Sequence, residues 1–337
     1  MREPVSADKQ ALAACMMAEN PPATPESSEN PFMPNGAIYI LTQNDRYVNL
    51  ALQSLASLKR VMPDLPVTVF SQFPISCPLI ERVVPIEPSR DGFYDKTKLI
   101  RQSPYERTIF IDADIYVAEA FPELFALLDR FDIAATHEEY VDTDWFHRYP
   151  RKDIPSSFPE FNTGILLYRR GPQTDAVMKA WEDSYAEYLA QKPGQPINDQ
   201  PFFRAAVYFS DARVATLTRE YNCKFRGQGY LNGTVKILHG HVDLQLDPLH
   251  VGQASRVLNA SQRPRVYIAG RVYDQKLTGR LVSMRKPHWI GTFPLFPGSL
   301  TARRMTRLRQ IISEQGFRGI VGKLLGKSRG ASSASET

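Results

Sequence analysis

The sequence predicts an α/β fold, a mostly parallel central sheet flanked by helices. Short runs of β-branched and aromatic residues alternate with stretches of helical period, the pattern of strand–helix–strand units. Several of those runs are apolar throughout rather than alternating, as in strands covered on both faces. The runs also tend to end in polar residues, and open α/β sheets bind ligands beyond the carboxyl ends of their strands. The clearest case is Thr108-Ile-Phe-Ile-Asp-Ala-Asp-Ile-Tyr-Val117, an apolar run that stops at Asp112 and Asp114 before a second short one.

In order along the chain, residues 1–35 carry Pro-Pro, Pro-Glu-Ser-Ser-Glu and Asn-Pro with little periodicity and read as a disordered leader. Residues 37–42 form a first strand, and residues 43–46 a polar turn. Ala51, Leu55, Leu58 and Met62 then line one face of a helix that Pro63 stops. Strands follow at 67–70 and 82–86, and a helix at 96–101 leads to the strand that carries the aspartates. A helix over 121–128 and a strand over 132–136 come next.

Residues 137–158 are rich in aromatic and charged side chains without a period, and so long a loop inside a domain usually has a task. A strand over 163–168 precedes a helix marked by Val177, Trp181, Tyr185 and Tyr188. Asn198 is placed to cap the next helix, with Pro201 in its first turn. The strand over 235–238 ends in His239-Gly-His241; a helix over 249–258 and a last strand over 265–269 complete a body of residues 36–275. An extension, 276–299, leads to a tail, 300–337.

Apolar residues make up 43% and charged residues 23%, which describes a soluble globular protein. No run reaches the ~18 apolar residues of a membrane-spanning helix, and the apolar segment 11–18 is too short and too mixed in its flanks for a signal peptide. Cys15, Cys77 and Cys223 form no CxxC pair and read as reduced thiols of a cytoplasmic protein. Dinucleotide, zinc-protease and serine-hydrolase motifs are absent from the sequence. The tail has eight basic residues between positions 300 and 330 against Glu314 alone. With Met305, Leu308, Ile311 and Ile312 on one helical face, residues 300–329 suit an anionic membrane surface at the inner face. A solvated helix on the body is the plainer reading, and nucleic acid is not the expected partner.

Asp112 and Asp114 read either as a strand running into a turn or as a pair that shares a cation, since buried carboxylates need a partner. Asn162-Thr163, Asp199-Gln200 and His239 fall at comparable places, at strand ends or at a helix start. Two carboxylates and an imidazole suit Mn²⁺ or Mg²⁺ holding a phosphate-bearing substrate.

Four segments taken together, Tyr105-Glu-Arg-Thr-Ile-Phe-Ile-Asp-Ala-Asp114, Phe161-Asn-Thr-Gly-Ile-Leu-Leu-Tyr168, Asn198-Asp-Gln-Pro-Phe202 and Ile237-Leu-His-Gly240, make residues 36–270 resemble the GT-A-fold (Rossmann-like) glycosyltransferases close to glycosyltransferase family 8. The resemblance implies a nucleotide-diphosphate sugar donor, a UDP-sugar first among them, a glycan, lipid or small-molecule acceptor, and retention of configuration. It implies Asp112, Asp114 and His239 as ligands of Mn²⁺ or Mg²⁺, with Asp112 and Ala113 also at the nucleotide. By the same likeness Thr42, Asn44 and Tyr47 would hold the base, Lys98 would approach the nucleotide, Asn162 and Thr163 would line the sugar pocket, and Asp199 and Gln200 would sit at the reacting carbon. The family's His-x-x-Gly-x-x-Lys-Pro-Trp ending is replaced by His239-Gly-His-Val-Asp243, which makes His241 a competitor for the third ligand. The loop 137–158, with Trp145 and Tyr149, is the expected acceptor wall. A nucleotidyltransferase fits less well, since the turn 43–46 lacks a glycine-rich basic loop. The other alternative is a sugar-nucleotide or glycan-binding protein without transfer activity.

Overall fold

The computed structural model describes residues 33–89, 91–138, 149, 151–225, 227–240 and 248–274. The chain divides into two compact units, 1–284 and 285–337, and every described residue lies in the first.

The central sheet has seven strands in the order β3-β2-β1-β4-β7-β6-β8: β1 (Met33–Leu41), β2 (Val67–Ser71), β3 (Arg82–Pro85), β4 (Tyr105–Ile111), β6 (Ile133–His137), β7 (Phe161–Arg169) and β8 (Val214–Leu217). Neighbouring pairs are parallel except where β7 meets β4 and β6. β7 alone is reversed, so its amino end lies on the same edge as the carboxyl ends of the others. β1 starts at Met33, so Met33 to Asn35 belong to the sheet and not to a leader.

Both faces of the inner strands are covered, which is why they read as continuous apolar runs, while the edge strands β3 and β8 are partly exposed. Ala37, Tyr39, Leu41, Ile109 and Ile111 pack with Ala51, Leu55 and Leu58 of α1 (Arg46–Val61) and with Leu124 of α3 (Glu123–Leu127). Ile38, Phe110, Leu166 and Tyr168 turn the other way. They meet Leu99 of α2 (Gly92–Leu99), Val177, Trp181 and Tyr185 of α4 (Pro172–Gln191), and Phe202 and Phe203 of α5 (Gln200–Tyr208).

Two smaller sheets lie outside this frame. β5 (Ile115–Val117) pairs antiparallel with β10 (Ile237–His239), so the strand that ends at His239 is not in the central sheet. β9 (Gln228–Leu231), β11 (Arg265–Ile268) and β12 (Arg271–Asp274) form an antiparallel three-stranded sheet. Buried Leu231 and Tyr267 from that sheet share a third core with Val251 and Leu258 of α6 (Pro248–Leu258).

Asn198 is not the helix cap. The residue before α5 is Asp199, and Asn198 Oδ1 instead accepts the Gln200 amide N–H at 3.0 Å, one residue further out. Cys77 is disulfide-bonded, while Cys223 is buried and in no disulfide. The expectation that all three cysteines are reduced therefore fails. Among the described residues no helix is long and apolar enough to cross a membrane. The tail 300–337, Trp145 and His241 lie outside the described residues.

Candidate active site

The register of the two-stranded sheet brings the third ligand candidate to the other two. β10 pairs His239 with Ile115, and Gly240 N donates to Asp114 O at 3.1 Å. Asp112, Asp114 and His239 each offer a ligand atom within 4.8 Å of the others. Gly164, which accepts the Asp112 N–H at 2.9 Å, keeps this space open. A Cβ there would overlap the imidazole of His239 and stand 2.8 Å from Asp112 Oδ2.

The tautomer of His239 follows from its neighbours. Asn222 Nδ2 donates to Asn162 Oδ1 at 2.8 Å, so its own Oδ1, 2.9 Å from His239 Nδ1, is an acceptor and Nδ1 carries the proton. That leaves the lone pair on Nε2, 3.5 Å from Asp114 Oδ1. Burial pushes the Asp112 carboxyl up; Lys96 opposes this, and Asp114 adds to burial. Two carboxylates that repel and a lone-pair nitrogen held by an outer partner are the donor set of a hard divalent cation. The residues present could hold a divalent metal ion.

Beside the triad is a buried ion pair. Lys96 Nζ lies 3.4 Å from Asp199 Oδ2 and 3.7 Å from Asp112 Oδ1, and it donates to Thr163 Oγ1 at 3.0 Å. Thr163 Oγ1 in turn donates to Asp199 Oδ2 at 3.0 Å, and Trp181 of α4 fixes the Asp199 backbone by donating to its carbonyl at 3.0 Å. Asn162, Thr163, Asp199 and Gln200 are all buried. Pairing between β6 and β7 shifts from Ala135–Leu166 to Thr136–Asn162, and a bulge of this kind re-aims side chains at the strand end.

The turn after β1 is held by Gln43, whose φ is 68°, in the left-handed region that non-glycine residues seldom adopt. Its backbone N–H donates to Gln72 Oε1 at 2.8 Å, and its side chain donates to Ser89 O at 2.8 Å and Asp95 Oδ2 at 2.9 Å. Thr42 is buried beside it. Asn44 is exposed, with its Oδ1 accepting the Arg46 N–H at 3.0 Å. The Arg46 guanidinium sits 5.0 Å from the Tyr47 ring centroid, so one face of that ring already has a cation on it.

The structure thus gathers Asp112, Ala113, Asp114, Asn162, Thr163, Asp199, Gln200 and His239 at one edge, with Thr42 at the neighbouring strand end. Lys98 is exposed, and the lysine that enters the site is Lys96, two positions earlier and so on another face of α2. The signal was present, because Lys96 shares a helical face with the buried Leu99 and Ile100. Gly164, Asn222, Glu138 and Glu160 were missed, and all of them act through contacts distant in sequence. Tyr149 packs on Phe202 at 4.1 Å and Tyr188 at 6.0 Å between ring centroids, so its ring is engaged in the core beneath α4 and α5.

No family model matches the chain, and no curated protein does. Among solved structures, it is similar to the galactosyltransferase LgtC in complex with donor and acceptor sugar analogs, at 17% identity and a TM-score of 0.39, over 55% of this chain and 74% of that one. It is similar to the glycosyltransferase GlyE of Streptococcus pneumoniae TIGR4, at 14% identity and a TM-score of 0.40, over 57% and 47%. It is also similar to the bifunctional glycosyltransferase WbbM, at 12% and a TM-score of 0.40, over 60% and 42%. The chain thus spans less than half the length of GlyE and WbbM. At this level of similarity the chemistry has to be read from the chain's own residues.

Proposed function

We propose that the chain is a divalent-metal-dependent glycosyltransferase that takes a sugar from a nucleotide-diphosphate donor. The observation that carries this reading is the triad Asp112, Asp114 and His239 at the carboxyl edge of the sheet, next to the buried Lys96–Asp199 pair. Asp112, Asp114 and His239 would hold Mn²⁺ or Mg²⁺. When bound, the metal supplies Lewis-acid stabilisation of a diphosphate leaving group.

The chain's own residues do the rest. Thr42 and the Gln43 turn offer a rigid strand end for the base. Lys96 Nζ stands 3.4 Å from Asp199 Oδ2, and Asp199 and Gln200 are the acceptors offered to sugar hydroxyls. A buried polar site of this kind discriminates strongly between hydroxyl-bearing ligands, because a poor match leaves groups unpaired. The bond that His239 donates to Asn222 and the bond that Asp199 accepts from Thr163 hold both side chains in place before the ligand arrives, so the site is preorganised. UDP is the first nucleotide to try, and retention is the expected stereochemistry.

A thermal-shift panel of UDP, GDP, CDP and ADP with and without Mn²⁺ identifies the base, and release of free nucleotide from the matching sugar donors tests transfer or hydrolysis. Stabilisation by a nucleotide that needs Mn²⁺, followed by turnover, is the expected result. Equal stabilisation with and without metal removes the reading.

A further inference from the structure

Glu138 and Glu160 are two buried carboxylates, each 8% exposed, that the donor site described above does not use. Glu138 follows β6 and Glu160 precedes β7, joined by a bond from Glu138 N to Glu160 O at 2.8 Å. Both converge on one amide: Gln200 Nε2 donates to Glu160 Oε1 at 2.9 Å and to Glu138 Oε2 at 3.1 Å. An amide nitrogen has two N–H donors, and an ionised carboxylate only accepts. With both acids ionised, the end of Gln200 that faces them has to be NH₂, and the carbonyl oxygen has to lie on the other side, where it accepts from Asn162 Nδ2 at 3.1 Å.

Asn162 is fixed in the same way. Its Nδ2 also donates to Glu138 Oε2 at 2.8 Å, and its Oδ1 accepts from Gly164 N at 3.0 Å and from Asn222 Nδ2 at 2.8 Å. Asn222 then sets the proton on His239. Two acids so determine the polarity of three amides and an imidazole. Glu138 is offset by Lys224 Nζ at 3.0 and 3.1 Å. Around Glu160 stand Glu138, Asp199 and Arg204; burial pushes its carboxyl up to about 7, the Gln200 amide opposes this, Glu138 adds to it, Arg204 opposes it and Asp199 adds again.

We propose that Glu138 and Glu160 are positioning residues that clamp the Gln200 amide, so that it presents its oxygen rather than its nitrogen toward Asn162 and the donor sugar. The sugar in that statement rests on the glycosyltransferase reading, whereas the clamp does not. An oxygen there accepts from a sugar hydroxyl or faces positive charge that develops at the reacting carbon; an NH₂ group does neither.

The test uses the full-length ¹⁵N-labelled protein. The side-chain amide signal of Gln200 is assigned by its loss in Gln200→Glu. In the wild type it is expected to be slow to exchange with solvent and to move with pH around a midpoint near 7; in Glu160→Gln the movement disappears, and in Glu160→Asp it is kept. With Mn²⁺ and the nucleotide sugar that the wild type turns over, Glu160→Gln is expected to lower kcat about tenfold. The donor KM stays unchanged and the rise of kcat through pH 7 is flattened. A wild-type Gln200 amide that does not titrate, or one indifferent to Glu160→Gln, overturns the clamp. Titration of the amide in a protein that turns over no nucleotide sugar overturns only the role toward the sugar.

Discussion

A side chain on Gly164 and the imidazole of His239 cannot occupy the site together: the Cβ would overlap Cε1 and stand 2.9 Å from Nε2. The same atom would press on Asp112 Oδ2 at 2.8 Å. Gly164→Ala is therefore expected to displace two of the three proposed ligands at once, at a cost of about 1–3 kcal/mol in stability. Affinity for Mn²⁺ in the presence of nucleotide should fall about 10–100-fold. Calorimetric titration of metal and urea unfolding measure the two effects separately, and unchanged metal affinity would place His239 outside the metal's shell.

Asp114→Asn isolates the metal from the fold. The Asp114 carboxylate is partly exposed, with 28% of its side chain accessible, so the variant should unfold in urea within about 0.5 kcal/mol of the wild type. The wild type should gain about 2.7 kcal/mol from metal and nucleotide at a hundred times their Kd, and the variant should gain almost none. Asp114→Asn with full Mn²⁺-dependent stabilisation would sink the triad.

Most of the central sheet was legible because its inner strands are covered on both faces, and continuous apolar runs such as 109–111 and 165–168 carry that signal without tertiary help; the edge strand β8, partly exposed, carries no such run and was not read. The three-stranded sheet was half hidden. β12 follows β11 through Ala269 and Gly270, both at positive φ, and Ala-Gly is a weak sequence signature for a turn that usually shows Asn-Gly or Asp-Gly. In the site, the residues that end strands or open a helix could be read directly. Glu138, Glu160 and Asn222 could not, since their work lies in bonds to Gln200, Asn162 and His239 across separations that no local pattern encodes. The faces of α2 distinguish buried Lys96 from exposed Lys98.

Lys96 Nζ stands between Asp199, at 3.4 Å, and Asp112, at 3.7 Å. Lys96→Met keeps the stem against Phe110, over whose ring Nζ lies at 5.0 Å from the centroid, but leaves Asp199, 1% exposed, without its cation. Breaking a buried pair from one side costs about 3–5 kcal/mol. Asp199→Asn in the same chain should recover much of that loss, because the most deeply buried carboxylate left without its cation is then gone, while Asp112, 33% accessible, still meets solvent. Urea unfolding of the two single variants and the double variant closes the cycle. Strictly additive losses would mean that the pair is not coupled.

The stability of the protein should also report Glu160. Its folded value lies above the ordinary carboxylate value of 4.5, at about 7, so the folded state binds this proton more tightly than the unfolded one does. The resulting stabilisation is complete below the unfolded value and is lost as pH rises through the folded one, about 3 kcal/mol in all. Other acids work in the opposite sense: against the pull of burial, bonds from Arg169 and Arg213 hold Asp132 low, and bonds from the Asn232 and Gly233 amides help to hold Glu220 low. The total pH profile therefore mixes both signs, and the informative quantity is the difference between wild type and Glu160→Gln. Urea unfolding across this window should show the variant gaining on the wild type by about 3 kcal/mol as the pH rises past 7. A difference that stays flat would mean that Glu160 titrates as an ordinary surface carboxylate and that its burial beside Gln200 and Glu138 carries no electrostatic cost.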